Sequence, residues 1–111
     1  MGTRIFLSPG GLAATLTVDS DIDDRARPAI ESAAAQLPPS VRRLTLDLAG
    51  VGFVDSALLH LVLTIDRSVA DRGGLLRIVG LRPQPRRVLT LAADLRPDTR
   101  WQTYLASPGP S

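Results

Sequence analysis

Apolar and polar positions alternate in two rhythms along this chain, and the change of rhythm marks out its elements. Leu44, Leu46 and Leu48 fall on one side of Arg43-Leu44-Thr45-Leu46-Asp47-Leu48, the period-2 pattern of a strand with one buried face. Ala49-Gly50-Val51-Gly52 breaks that pattern, and a longer period follows. His60, Thr64, Arg67 and Asp71 share one helical face, and Leu58, Val62, Ile65 and Val69 form an apolar stripe opposite them. The spacing predicts an amphipathic helix over Ser56 to Arg72, with Asp55 as its N-cap and Ser56 as its first residue.

The same reading extends in both directions. Arg4 to Leu7 and Leu12 to Val18 flank Ser8-Pro9-Gly10-Gly11 and read as a hairpin or as consecutive strands. Ala14, Leu16 and Val18 alternate with Thr15 and Thr17, so the second run has one core face. Arg25 to Leu37 reads as a helix, tolerant of Pro28 near its start and stopped by Pro38-Pro39. Gly73-Gly74 supplies a C-cap and turn before a strand over Leu75 to Val79. After a loop over Gly80 to Pro85, Arg86 to Leu95 is expected to be a helix with Val88, Leu91, Ala92 and Leu95 inward. Arg100 to Leu105, with Trp101, is expected to form a last strand. Residues 106–111 are rich in Pro, Gly and Ser and read as a flexible tail. Strands alternating with helices predict an α/β fold, with a mixed, mostly parallel sheet of four to five strands and helices packed against it. Residues 1–105 are then one domain, as the length of 111 residues also implies.

Composition narrows the function. The pI near 10.4 does not signal a nucleic-acid surface: the 13 basic residues, all arginine, face 11 acidic ones, for a formal charge of only +2. With no lysine present, almost nothing titrates between the carboxylates and the arginines, so a small excess drags the pI upward. Aromatic residues, at 4%, are too few for a base-stacking platform. No cysteine is present, which removes disulfides and thiolate metal sites and fits a reducing, cytoplasmic setting. No apolar run approaches the ~20 residues of a membrane span.

Candidate chemistry is sparse. Asp19-Ser20-Asp21-Ile22-Asp23-Asp24 is strongly acidic but lacks the spacing and closing glutamate of a calcium loop. It reads instead as the electrostatically favourable entry to the following helix. The single histidine, His60, falls on a polar helix face without a serine or carboxylate partner in evident register. Gly50-x-Gly52 lacks the third glycine of a dinucleotide fingerprint, and no phosphate-binding P-loop is present. The residues predict no enzyme, no metal and no cofactor; an enzymatic or phosphate-ligand site at the strand ends is allowed by the architecture and unsupported by side chains. Ser56, by spacing alone, is an ordinary residue of a helix start.

Several ordered motifs change the weight given to Ser56. Asp47-Leu48, then Phe53-Val54-Asp55-Ser56-Ala57 with Leu59, resemble the signature of the STAS family, the anti-sigma factor antagonists of bacteria. Arg72-Gly73-Gly74-Leu75-Leu76-Arg77-Ile78-Val79-Gly80 resembles the family's next strand, and Pro85-Arg86-Arg87-Val88-Leu89-Thr90-Leu91 its following helix. Asp21-Ile22-Asp23 stands where the family has its acidic loop. Leu58 takes the place of a glycine usual in the family, and its stripe predicts that it is buried. The resemblance implies a phosphoacceptor at Ser56 and a partner-binding surface of Asp21, Asp23, Asp55, Ser56, Ala57 and Leu59. The implied partner is an anti-sigma factor that is also a serine kinase, with room for a phosphoserine phosphatase and with no nucleic acid or membrane. Monomer or weak homodimer is the implied state. An alternative within the family is a scaffold subunit of a stressosome-like or lipid-transport assembly, with Ser56 unmodified.

Overall fold

In the computed structural model, which describes residues 2–95 and 104–105, seven elements follow one another. They are β1 (Thr3–Leu7), β2 (Ala13–Val18), α1 (Arg27–Ala35), β3 (Arg43–Asp47), α2 (Ala57–Asp71), β4 (Leu75–Val79) and α3 (Pro83–Leu95). The sheet order is β1-β2-β3-β4. β1 and β2 are an antiparallel hairpin, closed by a turn in which Gly10 and Gly11 take φ values of +91° and +72°. β2, β3 and β4 are parallel, so each following strand is reached by a helical crossover, α1 and then α2. The mixed, mostly parallel sheet is the one the alternation of elements predicts.

The core lies on one face of this sheet. Ala14, Leu16 and Val18 of β2, Leu44 and Leu46 of β3, and Leu76 and Ile78 of β4 point into it. From the helices come Ile30, Leu89 and the predicted α2 stripe of Leu58, Val62, Ile65 and Val69, all buried. α2 ends in a Schellman turn: Gly74 N donates to Val69 O at 2.9 Å and Gly73 N to Ala70 O at 2.9 Å, with Gly73 at φ +73°. Among the described residues no helix is long and apolar enough to cross a membrane.

Three expectations are corrected. α1 is shorter than Arg25 to Leu37, because Asp23 to Ala26 forms a separate turn and Gln36 closes the helix. α3 begins at Pro83 and is rotated: Pro85, Leu89, Ala92 and Ala93 are buried, whereas Leu91 and Leu95 are 57% and 82% exposed. Periodicity admits either stripe, and the hold of Gln84 described below orients the first turn. At the chain's end Tyr104 and Leu105 are helical, so no strand runs through them; residues 100–103, with Trp101, and the tail over 106–111 lie outside the described residues. Tyr104 is buried, and its hydroxyl donates to Asp66 Oδ1 of α2 at 2.7 Å.

Candidate functional site

Because β2 and β3 are parallel neighbours, the loops that leave them emerge at the same end of the sheet. These are the acidic loop over residues 19–24 and the approach to α2 over residues 49–56. They are zipped together. Ile22 and Val54 form an isolated parallel bridge, in which Ile22 N donates to Phe53 O at 3.1 Å and Asp55 N to Ile22 O at 3.2 Å. Asp21 Oδ1 adds a third link by accepting from Phe53 N at 3.2 Å. Both bridge side chains are buried in the core.

In a parallel bridge the backbone groups of Val54 itself point away from Ile22, and burial without partners would be costly. Gln84, in the first turn of α3, meets both. Its Oε1 accepts from Val54 N at 2.8 Å and its Nε2 donates to Val54 O at 2.9 Å. The side-chain amide acts as one residue of an additional strand, so the loop is bonded on both sides.

This frame sets the start of α2. Asp55 Oδ1 accepts from Ala57 N at 2.7 Å, and Leu58 N donates to Asp55 O at 3.1 Å. Asp55 therefore caps the helix, as expected, while the regular helix begins one residue later than expected, at Ala57. Ser56 occupies the N-cap position in a helical conformation (φ −61°, ψ −14°), but its side chain makes no capping hydrogen bond and is exposed. Asp55 is exposed and Leu59 half-buried against the core. Ala57 is 3% exposed. Its side chain is therefore covered within the chain, unlike those of Asp55 and Ser56 beside it.

The acidic loop also has structural duties. Asp23 Oδ1 accepts from Arg25 N at 3.0 Å and Ala26 N at 2.9 Å, satisfying two amides that precede α1. Asp21 and Asp23 thus hold backbone as well as facing the same end of the molecule. Among the described residues, no three His, Cys, Asp or Glu side chains gather as metal ligands. His60 is exposed on α2, apart from this frame. Two residues of the site escaped sequence reasoning. Gln84 has no periodic or motif signal. Phe53, 53% exposed beside Asp55, was legible as a motif residue but not as surface.

A family profile described as "Mlab, STAS domain" matches residues 7–93, most of the chain. The chain belongs to the STAS domain family. The structure of the anti-sigma factor antagonist SpoIIAA in its unphosphorylated form superimposes with a TM-score of 0.60 at 19% identity, over 81% of this chain and 83% of that one. A Thermotoga maritima protein assigned as an anti-sigma factor antagonist gives a TM-score of 0.73 at 18% identity, over 85% of this chain and 80% of that one. A structure of Mglu matches with a TM-score of 0.60 at 20% identity over 71% of this STAS domain, but over only 20% of its own length. At these identities the likeness is one of fold. No curated protein matches the sequence.

Proposed function

We propose that this STAS domain is an anti-sigma factor antagonist, which binds a kinase-type anti-sigma factor while Ser56 is unmodified and releases it when Ser56 is phosphorylated. The observation that carries this reading is the division of labour at the start of α2. Asp55 does the capping, so the exposed Ser56 hydroxyl, which makes no capping bond and no hydrogen bond among the described residues, is open to modification. A phosphate there adds about −1.5 to −2 charges. The nearby amides are already engaged: Ala57 N by the Asp55 carboxylate, Leu58 N by Asp55 O and Leu59 N by Ser56 O. The Asp55 carboxylate repels the phosphate, which therefore turns outward and alters the charge met by a partner. Asp21, Asp55, Ser56 and Leu59 are the proposed contacts, Asp23 bears on them through the start of α1, and Phe53 adds an exposed apolar centre of the kind that anchors interfaces. The domain contributes no catalysis, and ATP comes with the kinase.

Incubation with a cognate kinase-type anti-sigma factor and ATP tests the reading. Mass spectrometry should find one phosphate on the native chain and none on Ser56→Ala. Ser56→Asp should weaken binding at least tenfold by isothermal titration while Ser56→Ala binds as the native chain does. Equal affinities of the two variants would overturn the switch. A second reading rests on the Mlab description of the matching profile: a scaffold subunit of a larger assembly, in which Ser56 stays unmodified. That reading expects no phosphate on Ser56 in the source cell and unchanged assembly by Ser56→Asp.

A further inference from the structure

β1 is one of the two edge strands of the sheet, and all five of its residues are exposed. Three of them are consecutive large apolar residues: Ile5 (42%), Phe6 (68%) and Leu7 (42%). Edge strands are usually blunted by proline, a bulge or several charges, because their free backbone groups invite another strand. β1 has none of the first two and only Arg4 of the third.

The bonding pattern of the hairpin shows which groups are free. Ser8 N donates to Ala13 O, and Asp19 N donates to Gly2 O. Antiparallel pairs alternate between bonded and non-bonded, so Gly2, Arg4, Phe6 and Ser8 direct their backbone groups at β2. Thr3, Ile5 and Leu7 direct theirs outward, and among the described residues nothing bonds to them.

We infer that β1 pairs antiparallel with β1 of a second copy of this chain, about a two-fold axis at Ile5. Parity selects that register. The outward-facing residues must oppose one another, and only a centre at Ile5 lets all three do so, as Thr3 with Leu7 of the other copy and Ile5 with itself. The side chains agree with the backbone. In this register each Arg4 lies opposite Phe6 of the other copy, at a non-bonded position where side chains are closest. A guanidinium over an aromatic face is attractive, and both Arg4 residues gain such a partner. On the other face the two Ile5 side chains meet beside Leu16, their neighbour in β2, and their remaining exposure is removed. The result is a continuous eight-stranded sheet across two chains, with the Ser56 ends left open.

Cysteine cross-linking reads the register directly, since the chain has no cysteine of its own. Opposed residues of a bonded pair are about 5.5 Å apart at Cα, within disulfide range. Mild oxidation should convert Ile5→Cys to a covalent dimer, leave Leu7→Cys alone as monomer, and cross-link a mixture of Thr3→Cys and Leu7→Cys. Sedimentation velocity at rising concentration should carry the native chain from 11.8 kDa towards twice that mass. Ile5→Pro should abolish the shift with its circular dichroism spectrum unchanged, because the Ile5 N–H serves no bond among the described residues and proline is tolerated at such edge positions. A native chain that stays at 11.8 kDa to millimolar concentration, or cross-linking no greater for Ile5→Cys than for Leu7→Cys, would overturn the inference. A dimer that survives Ile5→Pro would do the same.

Discussion

Phe53 to Asp55 is an irregular loop with one isolated bridge, yet all of its backbone groups are bonded. Phe53 N goes to Asp21 and Phe53 O to Ile22; Val54 N and O go to Gln84; Asp55 N goes to Ile22 and Asp55 O to Leu58. β1 is a regular strand, yet the outward groups of Thr3, Ile5 and Leu7 are bonded to nothing among the described residues. Regular structure and satisfied structure are therefore separate properties. The loop before α2 is irregular because its partners come from three places in the chain, and that same anchoring fixes the backbone that leads into Ser56. The strand is regular because its hairpin partner repeats, and its other side remains available for pairing.

The contrast can be broken from the loop side first. Leu58 lies beneath the start of α2 and is fully buried. Leu58→Gly removes a side chain whose burial is worth roughly 2–5 kcal/mol on truncation, and adds up to ~1 kcal/mol of helix entropy. Urea unfolding should show a loss of at least ~3 kcal/mol, the largest expected in the series. A loss near that of a surface change would mean that the loop does not rest on the core.

Gln84→Ala sharpens the comparison by giving Val54 the same unbonded groups that β1 has, but in a buried place. Leaving the N–H and C=O of Val54 without partners should cost at least ~2 kcal/mol, at ~1–3 kcal/mol for each buried group left unpaired. Gln84→Glu keeps an acceptor for Val54 N but sets a carboxylate oxygen against Val54 O, so it should be destabilising as well. Amide hydrogen exchange at Val54 is the local readout, and it should accelerate in both variants.

Asp55→Ala removes the carboxylate that caps Ala57 N at the start of α2 and should cost about 1 kcal/mol, the usual scale for a lost helix cap. Asp55→Asn, which keeps the accepting oxygen, should recover most of that loss in thermal unfolding. The smallest effect is expected at the edge: at concentrations below pairing, Ile5→Pro should change stability by less than ~1 kcal/mol, as surface substitutions do. A large loss there would show that the outer side of β1 is already bonded within the chain.

Much of this molecule was legible in its sequence wherever a short period reports burial. The leucines of β3 and the stripe of Leu58, Val62, Ile65 and Val69 announced a strand and a helix with the correct core faces, including the burial of Leu58. Asp55 was legible as a cap because capping is decided within a few residues. The ordered motifs around Asp55 and Gly73 pointed to the STAS family, and the profile match and the fold agree. The rotation of α3 was not legible, because Leu91 and Leu95 fit one apolar stripe as well as Leu89 and Ala93 fit another.

What only the tertiary structure decided are pairings between residues far apart in the chain. Phe53 meets Asp21 from 32 residues away and Val54 meets Gln84 from 30, and neither pairing has a local signature. A glutamine amide that stands in for a strand looks, in sequence, like any polar residue of a helix start. Likewise Tyr104 is buried in the core and bonded to Asp66, 38 residues earlier, where alternation alone had favoured a strand. Local periodicity is set by which side of an element faces the core, and the sequence contains that directly. Which distant backbone groups need partners follows only once the elements are packed, because packing determines which groups lose their water.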